Sequence, residues 1–221
     1  MASIGIVCEG SHDYCFLKEV VDELLKQGGH IDNTFVALQP RVDATSKQID
    51  GGGYESVRQW LMTNSGISLR NFLSPVLFAT SPSYDAIIVQ VDGDVADISE
   101  DFSKSCFFGN FGSVHDRVSA VRSWLLCMAK IEPRFSKSVI AAVPTLQMES
   151  WVLSGISNTA SDVESKNRKL ATKRILRKKY KGSAVDKVIS AGKTSRSNLP
   201  HIMAKSISFS LFAADLSERF N

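Results

Sequence analysis

Short runs of apolar and β-branched residues occur at four places along the chain, and each predicts a β-strand. They cover residues 3–8, 34–38, 86–91 and 138–143. Elsewhere apolar positions recur every three or four residues, which predicts helices from residue 13 to Gly28 and across residues 54–62 and 114–131. A helix is also predicted to begin in residues 147–153, and short helices from about residue 165. Residues 92–112 show neither pattern and are predicted to be irregular.

The order of these elements predicts the fold class. Strands alternate with helices as β-α-β-α-β-α-β, and further helices follow. Near-continuous apolar strands in this arrangement are typical of an α/β fold with a mainly parallel sheet covered on both faces. Ligands of such sheets bind beyond the carboxyl ends of the strands. Candidate functional residues are therefore sought directly after each predicted strand.

Composition narrows the classes of protein. The chain has 221 residues, 43% of them hydrophobic, which is enough for the core of one domain. It contains no apolar run of the roughly 20 residues that span a bilayer, and no basic region precedes its first strand, so we expect neither a membrane protein nor a signal peptide. The four cysteines (Cys8, Cys15, Cys106 and Cys127) lack metal-site spacing, which predicts reduced, buried thiols in a cytoplasmic protein. The four scattered histidines argue against a zinc enzyme.

Carboxylates follow three of the predicted strands. Glu9 follows the first, Asp92 and Asp94 in the stretch QVDGD follow the central one, and Glu149 lies one turn beyond the last. Close carboxylates raise each other's pKa unless a cation lies between them. Asp-Gly-Asp is also ordinary turn chemistry, and Glu9 alone could complement a helix dipole. Together, however, the carboxylates match the oxygen ligands that Mg²⁺ prefers.

Two further residues at the start of the first helix belong to this region. Asp13 suits the N-terminal end of a helix dipole and would support the acidic site. His12 lies close to Glu9 in sequence and could assist proton transfer. A lone histidine at a helix start is more often a capping or solvated residue.

The stretches IVCEGSHDYCFL and QVDGD resemble the two motifs of toprim domains. The first has a strand, then Glu-Gly, then an acidic residue that opens a helix, and the second has Asp-x-Asp after a central strand. That family has a small Rossmann-like parallel sheet, binds Mg²⁺ and acts on phosphodiester bonds; it includes topoisomerases, primases and the overcoming-lysogenization-defect class of nucleases.

The C-terminal half resembles, more loosely, small toprim-like proteins of bacterial defence and mobile-element loci. This likeness lies in AVPTLQMESWVLS, KKYKGSAVDKVI and the Ser-Phe-Ser of residues 208–210. It implies a toprim-like core over residues 1–155 and a basic helical extension over residues 156–221 packed on that core. The wide spacing between Glu9 and Asp92 further implies an insertion around residues 28–66.

The resemblance implies a metal-dependent reaction. Mg²⁺ or Mn²⁺ would be held by Glu9, Asp92 and Asp94, which would also be the catalytic residues, with Glu149 as a further ligand. Two such ions can clamp the attacking and leaving oxygens of a phosphodiester. A topoisomerase would need a nucleophilic tyrosine on a separate domain, for which this chain is too small, so water is the expected nucleophile.

Charge is segregated along the chain. Nine basic residues and no acidic one lie in residues 166–181, which leaves −6 on the rest of a chain whose net charge is +3. Such a stretch favours contact with a nucleic-acid backbone, although a solvated helix face and an anionic membrane surface are alternatives. The expected nucleic-acid-binding residues are Lys169, Lys173, Arg177, Lys178 and Lys181.

The sequence thus predicts a cytoplasmic, Mg²⁺-dependent toprim nuclease that serves as an effector of a bacterial defence or mobile-element system. DNA and RNA are both open as substrates, and a homo-oligomer is compatible with the sequence. A non-catalytic partner that binds an ATPase or nucleic acid is one alternative, and a primase-like nucleotidyl transferase is another. The stretch AGKTS at residues 191–195 resembles the end of a phosphate-binding loop, but the glycine that such a loop needs is replaced by Lys187.

Overall fold

A computed structural model describes residues 1–40, 52–74, 83–105, 111–157, 164 and 169–221. Four strands form one sheet: β1 (Ser3–Val7), β2 (Thr34–Gln39), β3 (Ala86–Gln90) and β4 (Val139–Ala142). The sheet has the order β2-β1-β3-β4, and all neighbouring strands are parallel. The predicted α/β class with a parallel sheet is confirmed. The segment 28–66, for which an insertion is predicted, contributes the edge strand β2.

Helices connect and cover these strands. The first six lie before β4: α1 (Ser11–Gln27), α2 (Tyr54–Thr63), α3 (Ile67–Leu73), α4 (Val95–Ile98), α5 (Glu100–Ser105) and α6 (Val114–Ala129). A short 3-10 helix, Pro133–Ser138, leads into β4. The others follow β4: α7 (Glu149–Ile156), α8 (Lys169–Lys179), α9 (Ala184–Arg196), α10 (Leu199–Lys205) and α11 (Ile207–Phe220). None of the helices in the described ranges combines the length and the apolar character needed to span a bilayer.

Two hydrophobic cores lie on opposite faces of the sheet, because successive strand residues point to opposite sides. Ile4, Ile6 and Ile88 face α1 and the C-terminal helices. Val7, Ile87 and Val89 instead face α2, α3 and α6. The C-terminal helices therefore share a core with the sheet. The closest packing is that of α9 on α1, where a side chain on Gly192 of α9 would come within 2.9 Å of Glu19 Cβ.

That glycine belongs to the AGKTS stretch, whose composition is explained by helix packing. Ala191, Gly192 and Ser195 lie on the buried face of α9. A Cβ on Gly155 of α7 would clash with the Ser195 hydroxyl. The small side chains of this stretch therefore let α9 pack closely against both α1 and α7. This agrees with the sequence analysis, in which AGKTS is not a phosphate-binding loop.

Two predictions need correction. The segment 92–112, predicted to be irregular, contains α4 and α5, which are too short to show periodicity and are anchored by the buried side chains of Val95 and Phe102. Phe102 contacts the Trp124 ring of α6 edge-on at 5.7 Å between centroids. Cys127, predicted to be buried, is exposed on α6, whereas Cys8 is buried and Cys15 half-buried; Cys106 lies outside the described residues.

Candidate active site

The parallel sheet brings Glu9, Asp92 and Asp94 to the same end, beyond the carboxyl ends of its two central strands. Glu9 follows β1, the two aspartates follow β3, and β1 and β3 are adjacent and parallel. The contact between them is direct, since the Asp92 backbone N–H donates to Glu9 Oε1 at 2.6 Å. The sequence-predicted residues of the two toprim-like motifs are therefore neighbours in space.

The glycine of QVDGD is required by a close approach of two loops. The Gly93 N–H donates to the Pro144 carbonyl at 2.8 Å, and the Asp94 N–H donates to the Leu146 carbonyl at 3.1 Å. A Cβ on Gly93 would clash with the carbonyl oxygens of Pro144 and Thr145. The Asp-Gly-Asp stretch is thus a tight turn, and it also holds both aspartates against the loop that follows β4.

Two glutamines fix the carboxylates, and the sequence interpretation had not singled them out. Gln90 is fully buried; its Oε1 accepts from the Glu9 N–H and its Nε2 donates to Asp92 Oδ1, both at 3.1 Å. Gln147 Nε2 donates to Asp94 Oδ2 at 3.1 Å. A glutamine at the end of an otherwise apolar strand could have pointed to this role, because a buried amide needs hydrogen-bond partners.

Asp92 lies at the centre of the acidic cluster formed by Glu9, Asp13, Asp92 and Asp94. Its Oδ1 also accepts from the Met148 N–H at 2.9 Å. Burial, and then the charges of Glu9, Asp13 and Asp94, raise the pKa of the Asp92 carboxyl well above its ordinary value, although the Met148 N–H acts in the opposite direction. The ionised form of Asp92 is therefore unfavourable in the protein by itself, and a bound cation would favour it.

The oxygen atoms here suit a hard divalent cation, although their arrangement is not that of a complete metal centre. Among the residues that the structure describes, no group of three or more His, Cys, Asp or Glu is placed to hold a metal ion. Glu9 Oε1, Asp92 Oδ1 and Asp94 Oδ2 instead accept hydrogen bonds from the protein. Gln147 Oε1 is buried without a hydrogen-bond partner in the described part of the chain, and amide oxygens are also ligands of hard cations. The metal site stays a prediction.

The Cys8 thiol lies next to this cluster. Burial first, and then the charge of Asp13, raise the pKa of the thiol far above its ordinary value, although its contact with Gly10 acts the other way. Its Sγ contacts the carbonyl oxygens of Gly10 at 3.3 Å and Gln39 at 3.5 Å. In the protein as described, Cys8 is therefore a buried, protonated thiol.

The remaining acidic candidates face a cavity of about 440 Å³ beside the cluster. Glu149, the first residue of α7, lines this cavity together with His12 and Asp13. Asp13 also acts on Asp92 through its charge and is therefore common to the cluster and the cavity.

The basic stretch divides into two parts. Lys173 and Arg177, one turn apart on α8, line the cavity. Lys178 and Lys181 are exposed and lie outside its lining. The Lys169 side chain lies outside the described residues. A third lining cation, Lys187 of α9, could not be expected from the basic stretch because it follows a turn and belongs to the next helix.

No protein-family model, curated protein or solved structure was found to match this chain. The toprim resemblance therefore depends on the two motifs and on the location of their acidic residues.

Proposed function

We propose that this protein is a Mg²⁺- or Mn²⁺-dependent nuclease that hydrolyses phosphodiester bonds with Glu9, Asp92 and Asp94. The observation that carries the proposal is the half-buried Asp92 carboxylate, which lies among the charges of Glu9, Asp13 and Asp94 at the carboxyl ends of adjacent parallel strands. Such a concentration of negative charge is unfavourable by itself and is typical of a site that is completed by a divalent cation.

The proposal gives each acidic residue a role in the reaction. Glu9, Asp92 and Asp94 would hold the metal, and Glu149 at the cavity wall would be a further ligand. A bound divalent ion would supply an activated water and neutralise charge on the phosphate. The buried amide of Gln90 connects these residues, because it accepts from the Glu9 backbone N–H and donates to the Asp92 carboxylate.

Glu9 would serve as the general base or orient the water that attacks phosphorus. Its carboxylate is adjacent to Asp92, since Glu9 Oε1 accepts from the Asp92 N–H. Asp13 and His12, at the start of α1, would support this site. The resemblance to small toprim-like proteins suggests a role as an effector in bacterial defence or mobile-element systems.

A non-catalytic binding protein is the second candidate, and one observation favours it. One carboxylate oxygen of each of Glu9, Asp92 and Asp94 already accepts a hydrogen bond from the protein, as expected of a site that has kept its structure but no longer binds a metal. Such a protein would use the same sheet edge to bind nucleic acid or an ATPase.

The test is a cleavage assay on plasmid DNA, tRNA and total RNA with Mg²⁺, Mn²⁺ or EDTA. Wild-type protein should cleave at least one substrate in the presence of metal only. Glu9→Gln should abolish cleavage, because it keeps the shape of the side chain and removes the charge that a ligand or base needs. Glu23→Gln, at the far end of α1, is the matched control and should retain activity. Absence of cleavage on every substrate with both metals would favour the binding protein.

A further inference from the structure

The cavity beside the acidic cluster has chemistry that the metal site does not explain. It lies between the start of α1, the start of α7, and the helices α8 and α9. Its volume of about 440 Å³ is within the range of small-molecule binding sites. Its wall includes buried apolar side chains, exposed cations and the carboxylates that face the cluster.

Hydrogen bonds fix the helices that enclose the cavity. The Thr172 hydroxyl of α8 donates to the Glu149 carbonyl at 3.2 Å, and Lys179 Nζ donates to the Ile156 carbonyl at 3.0 Å, so α8 is tied to both ends of α7. The Tyr180 hydroxyl donates to Thr194 of α9 at 2.8 Å. The cavity is therefore largely formed before any ligand binds, which lowers the entropic cost of binding.

One part of the wall is cationic. Lys173 and Arg177 project from the same face of α8, and Lys187 projects from α9. Within the described ranges none of the three makes an ion pair. Clustered cations of this kind bind phosphate, and arginine can do so with two parallel hydrogen bonds.

The rest of the wall separates into an apolar part and an acidic part. Met148, Leu176 and Val188 provide the apolar surface and are buried. Asp13 and Glu149 provide the acidic part, on the side of the cluster. A ligand with an apolar ring system and a phosphate could therefore meet the apolar surface and the cations at once, next to the proposed metal site.

We propose that this cavity binds one unpaired nucleotide of a single-stranded nucleic acid, with a phosphate held by Lys173, Arg177 and Lys187. A base within a duplex is stacked and paired, and it reaches an enclosed pocket only after it is flipped out. Strand ends and single-stranded segments meet that requirement without this energetic cost. The inference rests on the proposed function, since it identifies the substrate class of the same site.

The test is binding without metal, so that neither cleavage nor metal affinity enters the result. Fluorescence anisotropy in EDTA measures the affinity for a labelled single-stranded oligonucleotide, as DNA and as RNA, and for a blunt duplex. Changing Lys173 and Lys187 to Ala should weaken single-strand binding about tenfold or more, because charge-assisted hydrogen bonds to phosphate are strong. Changing Lys18 and Lys193 to Ala removes the same charge from exposed positions outside the cavity and should change the affinity by about twofold or less.

A steric variant tests the cavity itself. Ala184 is exposed at the first position of α9 and lines the cavity, so Ala184→Trp should obstruct it without disturbing a core. We expect single-strand affinity to fall about tenfold, and adenosine 5′-monophosphate to compete with the oligonucleotide for wild type only. Ala204→Trp, at an exposed position of α10, is the control. Thermal unfolding shows that each variant is folded.

The outcomes separate this inference from the proposed function. Equal affinity for duplex and single strand, or unchanged affinity in Ala184→Trp, would overturn the nucleotide cavity even if the protein cleaves nucleic acid. Cavity-dependent binding of single strands without cleavage under any metal would support the cavity and contradict the nuclease.

Discussion

Asp92→Asn provides the sharpest test of the acidic cluster, because the structure predicts that it stabilises the metal-free protein. Asparagine keeps an oxygen that can accept from Gln90 Nε2 and the Met148 N–H, and it removes a half-buried charge that is repelled by Glu9, Asp13 and Asp94. Relief of one unpaired, half-buried charge is worth about 1–3 kcal/mol. In a chain of this size that corresponds to an increase in Tm of about 3–10 °C.

The sign of the pH dependence follows from the raised pKa of Asp92. The folded state holds the Asp92 proton more tightly than the unfolded state does, so this group lowers stability as pH rises above its ordinary pKa of 3.8 toward its folded pKa. The full penalty is present above the folded pKa. The Tm advantage of Asp92→Asn should therefore be largest in alkaline buffer and should shrink on acidification.

Metal should reverse this order. A ligand that binds only the folded state stabilises it by about 2.7 kcal/mol when present at a hundred times its Kd. In EDTA the variant should therefore melt above wild type, and in Mg²⁺ or Mn²⁺ wild type should gain more stability than the variant does. Asp92→Asn combined with Asp94→Asn should lose the response altogether.

The assay is thermal unfolding monitored by circular dichroism, carried out in EDTA and in each metal across a range of pH. Asp32→Asn is the control, since Asp32 is exposed and has a φ of 59° that asparagine tolerates well. A variant that melts below wild type in EDTA would mean that Asp92 is compensated in the protein, and the reasoning would fail. An unchanged metal response in the double variant would remove the metal assignment.

Two further predictions concern the frame of the site. Gly93→Ala should lower the free energy of unfolding, measured by urea titration, by about 1–3 kcal/mol, because its Cβ meets backbone that has little room to move. The control is Gly112→Ala, whose Cβ would make an ordinary contact and which should have a smaller effect. Glu164→Gln should lower it by about 2–3 kcal/mol, because glutamine cannot accept all the hydrogen bonds that reach this carboxylate. An effect of Glu164→Gln no larger than that of Glu23→Gln would contradict this role.

The sheet was largely predictable because its information is local. Each strand is marked by its own run of apolar residues. Ligands of parallel sheets bind beyond the strand ends, and this rule alone predicted that Glu9 and Asp92 belong to one site. The strand order β2-β1-β3-β4 was not in those patterns, because it depends on which crossovers pass over which face. The short helices α4 and α5 were missed because a helix of one or two turns has no periodicity to detect.

The cavity was beyond sequence reasoning for a different reason. Lys173 and Arg177 are visible as a basic helix face, but their position relative to Glu149 depends on a hydrogen bond from Thr172 and on the packing of α9 against α1. Lys187 joins them across a turn that includes Gly182, whose φ is 99°. Long-range geometry of this kind depends on packing between distant elements, which no local pattern reports.

Three carboxylates with restricted exposure, Glu164, Asp215 and Asp92, differ in how the protein compensates their charge. Glu164 is buried and accepts from Thr145, Ser206 and the N–H groups of Ile207 and Ser208, so its charge is well solvated by the protein. Asp215 is half-buried and is paired with Arg122 at 2.8 Å.

Asp92 is compensated less than either. It accepts from the Gln90 amide and the Met148 N–H, fewer donors than reach Glu164, and the charged groups that act on its pKa within the described residues are all carboxylates. A fold that solvates Glu164 and pairs Asp215 has the means to compensate a structural carboxylate. Asp92 is half-buried without that compensation at the end of the sheet where parallel sheets bind ligands. Its position is best explained by a charge that arrives with a ligand, and a divalent cation is the simplest such charge.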